Sequence, residues 1–128
     1  MILETTFLVD LEREAGSGGS GPAFDFLDRI PRTRLSIALV SAGEMAAGLG
    51  ERDRPAWDRL FQRFDVLAPD REVAWRYGRL YRTLRERGTP LGANDLWIAA
   101  TALAQDMPLV TRNTVEFGRV PELRVAGY

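Results

Sequence analysis

The chain has 128 residues, with 17 Arg, 18 Asp or Glu and no His, Cys or Lys, and its formal net charge is −1. This composition excludes catalysis by an imidazole, a thiol or an amine, so proton transfer and metal binding fall to carboxylates and hydroxyls. The near-neutral charge argues against a protein that coats nucleic acid with a uniformly basic surface. Neither an export signal nor an apolar stretch of roughly 18 residues, the length of a membrane span, is present, so a cytoplasmic protein is expected.

The first half of the chain alternates short apolar runs with helical patterns. The predicted elements are a strand at 2–3, a helix capped by Thr5 or Thr6, a Gly/Ser-rich flexible connector at 16–21, a helix from Pro22, a strand at 35–39 and a helix at 41–49. The connector lacks the Lys of a phosphate-binding loop, which is why it is interpreted as a linker.

The second half continues the alternation. The predicted elements are a helix from Pro55, a strand at 66–67, a long helix capped by Asp70 and ended by Gly88, a helix at 93–104, and strands at 108–110 and 123–125. Apolar runs alternating with helices are typical of an α/β protein with a mainly parallel sheet, here of four or five short strands. No domain boundary is visible, and residues 1–128 are expected to form one domain.

Four carboxylates are candidates for one site: Glu4 at the end of a predicted strand, Glu44 and Asp95 on helices that could abut it, and Glu116 shortly after another strand. Each has an ordinary interpretation, such as a solvent-facing charge or, for Asp95, a favourable interaction with a helix dipole. Ligands of parallel sheets gather beyond the carboxyl ends of the strands. Carboxylates that converge there become tolerable around a hard divalent cation, which favours Mg²⁺ or Mn²⁺.

Other charged and aromatic residues have simpler interpretations. Asp10 is expected to be a surface or structural acid, because its spacing on the helix turns it away from Glu4. The set Arg76, Arg79 and Arg82 favours a solvated helix face, with binding of an RNA backbone as the alternative. The three tryptophans are expected to pack in the core rather than to stack on bases, and they are Trp57, Trp75 and Trp97.

Four segments carry a family resemblance: ILETTFLVD (2–10), SIALVSAGEMAAG (36–48), GANDLWIAATAL (92–103) and PLVTRNTVEF (108–117). In this order and at this separation they resemble PIN-domain endoribonucleases, specifically the VapC-type toxins of toxin–antitoxin (VapBC) modules. The resemblance covers essentially the whole chain. It implies a PIN-like α/β/α sandwich that cuts phosphodiester bonds in RNA.

The resemblance also implies an acidic pocket that holds one or two Mg²⁺ or Mn²⁺ ions. By motif position, Glu44 and Asp95 would be metal ligands directly or through water, and Glu116 takes the place of a late acid that is usually Asp. Polar support would come from Thr111 and Asn113. The neighbouring Arg112 is a candidate contact for an RNA phosphate.

The departure from the family pattern is largest at Glu4, where the family ordinarily has Asp as the central metal ligand. Glutamate is one methylene longer and reaches roughly 1.5 Å further. Because an error of about 1 Å in a catalytic group can cost on the order of 100-fold in rate, weakened catalysis is expected. Whether this residue is natural or an attenuating substitution stays open. Thr6, where Asn is frequent, is a milder difference.

The implied partners are an RNA substrate, a cognate VapB-type antitoxin whose tail covers the pocket, and a second copy of the chain. The homodimer would form through helices near residues 40–64. The alternative function is a catalytically silent PIN-like module that binds RNA or protein. The RNA target, the antitoxin and the number of metal ions stay open.

Overall fold

A computed structural model describes all 128 residues and places a five-stranded parallel sheet at the centre of the fold. The strands are β1 (Ile2–Leu3), β2 (Ser36–Ala38), β3 (Asp65–Leu67), β4 (Leu109–Val110) and β5 (Val125–Ala126), in the spatial order β3-β2-β1-β4-β5. All four pairings are parallel. The predicted number and direction of the strands are therefore confirmed.

Eight α-helices and one short 3-10 turn (Glu51–Asp53) connect the strands. The helices are α1 (Thr5–Gly16), α2 (Pro22–Arg29), α3 (Leu39–Ala47), α4 (Arg54–Asp58), α5 (Leu60–Arg63), α6 (Arg71–Glu86), α7 (Ala93–Ala104) and α8 (Thr114–Phe117). None of them is both long enough and apolar enough to cross a lipid bilayer.

The sheet separates two hydrophobic cores because neighbouring strand residues point to opposite faces. Leu3 and Ile37 pack with α1 and α2 on one side. Ile2 and Ala38, one position away in each strand, pack with α6 and α7 on the other side. The arrangement is the predicted α/β/α sandwich.

The strand order reverses at β1, which lies between β2 and β4. At such a switch point the connections leave the sheet in opposite directions, and a cleft opens beyond the carboxyl ends of the strands. The backbone N–H of Glu4 donates to the carbonyl of Val110 (2.9 Å), so the ends of β1 and β4 lie side by side at this cleft.

Several predicted boundaries are wrong by a few residues. Neither Thr5 nor Thr6 caps α1, because Glu4 itself is the N-cap and both threonines lie inside the helix. The strand predicted at 35–39 gives way to α3 already at Leu39, with no loop between them. The last strand is Val125–Ala126 rather than 123–125. The caps predicted at Asp70 and Gly88 are confirmed by a side-chain hydrogen bond to the Val73 N–H (2.9 Å) and by a φ of +69°.

Candidate active site

Glu4 lies at the switch point, between the end of β1 and the start of α1, and is 3% exposed. Its Oε2 accepts hydrogen bonds from the Thr6 backbone N–H (3.1 Å), the Thr6 hydroxyl (2.5 Å) and the Thr111 hydroxyl (2.9 Å). A buried carboxylate needs such donors to offset its lost hydration. All of these donors are neutral, and no arginine pairs with Glu4.

Glu44 comes from the middle of α3 and approaches the same cleft. Its Oε1 accepts a hydrogen bond from the Thr5 hydroxyl (2.8 Å), and the Thr5 oxygen also lies 3.0 Å from the Ser41 hydroxyl oxygen. Thr5 directly follows Glu4 in the chain. The start of α1 therefore orients one acid through its N-cap and a second acid through its first residue.

Asp95 lies in the first turn of α7 and is the electrostatic centre of the site. Burial, together with the negative charges of Glu4, Glu44 and Glu116, raises its pKa from 3.8 to about 6. The repulsion shows that the four acids predicted from the sequence surround one region. A carboxylate disfavoured by its neighbours in this way is typical of a functional site.

The segment after β4 supplies the remaining predicted residues. The Thr111 side chain is fully buried, and its Oγ1 accepts from the Asn113 backbone N–H (3.0 Å) while its hydroxyl donates to Glu4. Asn113 is the N-cap residue of α8 and makes no side-chain capping bond. Glu116 lies in α8 on the exposed side of the cleft.

The four acids suit a hard divalent cation in their chemistry. The molecule contains eight Arg–carboxylate ion pairs, and none involves Glu4, Glu44, Asp95 or Glu116. No three carboxylates are already gathered into a preformed metal site. The charge and the oxygen donors thus fit Mg²⁺ or Mn²⁺, whereas binding requires the side chains to converge further.

Asp10 is a buried structural acid, and the residues around it explain Arg112. Arg112 Nη1 lies 3.0 Å from both carboxylate oxygens of Asp10, Arg13 forms a second ion pair at 2.9 Å, and the Tyr128 hydroxyl donates at 2.6 Å. Burial and this hydrogen bond raise the pKa of the Tyr128 phenol above its ordinary value. Arg112, predicted to contact phosphate, thus has a carboxylate partner in the protein itself.

Two predictions for exposed side chains need correction or refinement. Trp75 was expected to pack in the core, but it is 64% exposed because it lies on the outer side of α6. Arg76 and Arg82 pair with Glu72 and Glu86, as expected of a solvated face, whereas Arg79 has no carboxylate partner and lies over the Trp75 ring.

Comparison with known proteins identifies the family. The PIN domain family matches residues 1–123. The ribonuclease VapC of Rickettsia bellii is 39% identical, over 98% of this chain and 93% of the relative. This chain is a PIN domain of the VapC family. The ribonuclease VapC1 of Haemophilus influenzae strain R2866 is 34% identical, over 74% of this chain and 75% of the relative.

The fold of this VapC-family chain also matches a solved structure. The structure of VapBC-1 from nontypeable Haemophilus influenzae superposes with a TM-score of 0.81 at 30% identity, covering 98% of this chain and 96% of that chain. The PIN-like α/β/α architecture inferred from the sequence motifs is therefore confirmed.

Two polar residues around the site were missed by the sequence reasoning. Thr5 was considered only as a cap, yet its hydroxyl holds Glu44, and its position directly after Glu4 was the available signal. Tyr128 is separated from Asp10 by 118 positions, and nothing in the sequence links the two residues.

Proposed function

We propose that this VapC-family protein is the toxin of a type II toxin–antitoxin pair and hydrolyses phosphodiester bonds in RNA with the help of Mg²⁺ or Mn²⁺. The observation that carries this proposal is a group of four acids, Asp95 and the three that raise its pKa. None of them has an arginine partner in a chain with 17 arginines. The relatives are named ribonucleases, which supports RNA as the substrate. The chain would act in the cytoplasm as a single domain, residues 1–128.

The carboxylates and the threonines of the site have different proposed roles. Glu4, Glu44, Asp95 and Glu116 would hold one or two cations, directly or through water. A bound cation would supply positive charge at the scissile phosphate and would make a water molecule more acidic. The threonine hydroxyls fix the directions of Glu4 and Glu44, so that their remaining oxygens can face the cleft.

Asp95 gives the site a dependence on pH. With its pKa raised to about 6, Asp95 is partly protonated in mildly acidic solution, and a proton there competes with a cation for the same oxygens. Metal binding is therefore expected to weaken as the pH falls through this range. The backbone N–H of Asn113 donates to the Thr111 hydroxyl (3.0 Å), and its side chain would orient water or substrate.

Glu4 is the reason to expect attenuated activity. Its Oε2 is engaged by the Thr6 backbone and by two hydroxyls, which leaves Oε1 as the oxygen without a hydrogen-bond donor. The extra methylene relative to Asp moves this oxygen further into the cleft. Because catalytic groups tolerate errors of about 0.5 Å, the longer side chain weakens catalysis without changing the chemistry.

Incubation of the purified chain and its Glu4→Asp variant with total RNA, with and without Mn²⁺, tests the proposal. Discrete RNA fragments are expected only when metal is present, and more of them with Glu4→Asp. Asp95→Asn serves as the inactive control, and a contaminating nuclease would persist in that sample. Cleavage that is equal in a chelator and in Mn²⁺ would contradict the proposed chemistry.

A second candidate function is a silent PIN module that binds RNA or protein without cleaving it. The capping bond of Glu4 and the lack of three gathered carboxylates favour this candidate. Calorimetric titration with Mn²⁺ separates the two. A nuclease is expected to release heat that disappears in Asp95→Asn, whereas a silent module is expected to give no such heat.

The proposed partners are a VapB-type antitoxin and a second copy of this chain. The named VapBC-1 structure of a relative supports the antitoxin. A dimer interface near residues 40–64 is supported by two exposed apolar side chains, Leu49 and Phe61, and by a groove of about 240 Å³ beside Trp57. Light scattering after size exclusion is expected to give a molar mass twice that of the monomer. The Phe61→Ser variant is expected to have the molar mass of a monomer.

A further inference from the structure

Helix α6 is the basic region of a chain that is acidic overall. From Arg71 to Arg87 the sequence has six arginines and two glutamates, which is a net charge of +4 in a molecule whose total is −1. Such local segregation is the electrostatic footprint expected of a phosphate-binding surface. The acidic site needs a surface of this kind, because four uncompensated carboxylates repel the RNA backbone that they would cut.

Arginines lie over aromatic rings at four places, and the two pairs on α6 differ from the others. The pairs elsewhere are Arg54–Trp57 and Arg63–Phe64, and both of these arginines also form ion pairs, with Asp58 and Glu12. The pairs on α6 are Arg79–Trp75 (4.8 Å) and Arg85–Tyr81 (5.9 Å), and neither arginine has a carboxylate partner.

The two rings on α6 are also unusually open to solvent, with Trp75 64% and Tyr81 47% exposed. An exposed ring of this size has little role in the core. A guanidinium that lies over a ring keeps N–H donors for a phosphate, although one N–H of Arg85 already donates to the Tyr81 hydroxyl (3.0 Å), and an open ring surface can stack on a nucleobase. An acidic protein segment would use the arginines but would gain little from the rings, which favours RNA.

A groove of about 480 Å³ runs along α6 past Trp75, Arg79 and Arg87, with Leu103 and Pro121 on its opposite wall. Two acids also line it. Glu72 is already neutralised by Arg76 (3.0 Å), which leaves Glu122 as the only unpaired acid against two unpaired arginines. The groove therefore keeps a positive balance.

The groove is connected to the candidate active site through the pairing of α6 with α7. The Tyr77 ring stacks on Trp97 of α7 (4.2 Å), Leu84 lines a pocket with Leu96, and Leu80 lies opposite Leu103. Residues 87–92 are the only chain connection between the two helices. The C-terminal end of α6 is therefore tied by a short segment to Asp95, in the first turn of α7.

We propose that the outer side of α6 binds the single-stranded RNA that flanks the cleaved bond. In the groove, Arg79 and Arg87 contact phosphates and the Trp75 ring stacks on a base. Arg85 and Tyr81 extend this surface on the flank of α6 that lines a second pocket with Leu84 and Leu96. The inference rests on the proposed function and names the surface that holds its substrate.

The test compares two double variants of the full chain. Arg79→Gln with Arg85→Gln removes the two arginines that lie on rings, and Arg34→Gln with Arg82→Gln removes the same charge from ion-paired positions outside the groove, where Arg34 pairs with Asp65 and Arg82 with Glu86. Binding of a fluorescent single-stranded RNA of about 12 nucleotides is measured by anisotropy in EDTA, at several salt concentrations. The first variant is expected to bind at least about tenfold more weakly and to lower the salt slope by about 1.4, and the control is expected to change affinity less than about threefold.

Trp75 is tested separately because it contributes no charge. Trp75→Ala is expected to weaken binding about tenfold with an unchanged salt slope, and Trp75→Phe is expected to restore most of the affinity. Thermal unfolding of each variant checks the fold, which an exposed side chain on α6 should not disturb.

Three outcomes would overturn the inference. Equal losses in the two double variants would indicate diffuse attraction rather than a site, and unchanged binding in the ring variants would exclude stacking. Displacement of the RNA by poly-glutamate as readily as by unlabelled RNA would point to an acidic protein segment instead. Metal-dependent cleavage by the wild type combined with any of these results would sink this inference alone, whereas absence of both cleavage and RNA binding would sink the proposed function with it.

Discussion

Glu4 and Asp10 lie six positions apart around the start of α1, and each is 3% exposed, yet the structure treats their charges in opposite ways. Asp10 is surrounded by two guanidinium groups and a phenol. Glu4 receives only hydroxyls and a backbone N–H, and it is one of the three acids, with Glu44 and Glu116, that raise the pKa of Asp95.

The contrast distinguishes the charge of Asp10, which stabilises the fold, from the charge of Glu4, which does not. A buried carboxylate with cationic partners holds elements together, whereas a group of acids without them destabilises the folded state. The chain has enough arginines to neutralise every acid of the cleft. That none is used there supports our proposal that a bound cation supplies the positive charge.

The largest expected effect follows from removing one acid of the cleft. Asp95→Asn should lower metal-dependent RNA cleavage by at least about 100-fold, because even the outer partners of a metal ligand typically contribute 10–100-fold. The measurement is the initial rate on a labelled RNA in saturating Mn²⁺. Asp28→Asn, at an exposed position without an ion pair, is the matched control. A wild-type rate in Asp95→Asn would show that the unpaired acids of the cleft are no more important for cleavage than the ion-paired Asp10.

The converse experiment removes the neutralised acid. Asp10→Asn should lower the free energy of unfolding by about 2 kcal/mol, less than the loss of a fully buried pair because both arginines are largely solvated. Urea unfolding measures the change, and Asp28→Asn should stay within about 0.5 kcal/mol of the wild type. A variant as stable as the wild type would show that the ion pairs contribute nothing to folding.

Glu4→Asp sharpens the comparison within the cleft. The rate of metal-dependent cleavage should rise about tenfold, because the shorter side chain restores the placement of the central carboxylate. The cap of α1 should survive, since Asp is a favoured N-cap residue. Equal rates with Glu and Asp under the same assay would mean that the length of this side chain does not limit activity.

The smallest expected effect is a dependence of stability on pH. Because the pKa of Asp95 is raised from 3.8 to about 6, the folded state holds this proton more tightly than the unfolded state. The resulting stabilisation is complete below the ordinary pKa and is lost as the pH rises through about 6.

The side-chain amide of the Asp95→Asn variant does not titrate, so the variant should be more stable than the wild type by about 1 kcal/mol near pH 7.5, after allowance for solvent screening of a half-exposed side chain. The gain should vanish near pH 4. Urea unfolding in EDTA at both pH values gives the difference. If the difference in free energy of unfolding between the variant and the wild type were the same at both pH values, the pKa of Asp95 would not be raised.

The sequence was sufficient where the signal was local or repeated. The strands, most helices and the caps at Asp70 and Gly88 followed from apolar spacing and from the chemistry of helix ends. Glu4, Glu44 and Glu116 could be selected because each stands at a strand end or on a helix that follows a strand, and parallel strands bring such ends together. Asp95 follows another helix and was selected as a metal ligand from the family resemblance.

Contacts between distant residues were beyond the reach of spacing alone. The pairing of Asp10 with Arg112 and Tyr128 depends on β4 lying beside β1 and on β5 lying beside β4, which no periodicity reveals. For Trp75, its large apolar side chain suggested burial, but its angular position on α6 decided the outcome. The angle between neighbouring side chains on a helix, rather than hydrophobicity, was the informative quantity there.

The pairing of β1 with β4 joins residues 2 and 109, so two segments that are far apart in the sequence are needed to complete the cleft. A polypeptide still emerging from the ribosome already displays Glu4 and Glu44, but it lacks the strand that carries Thr111 and the turn that carries Glu116. The nuclease activity would consequently be absent while the chain is being synthesised and would arise only when β4 and α8 pack against the rest of the fold.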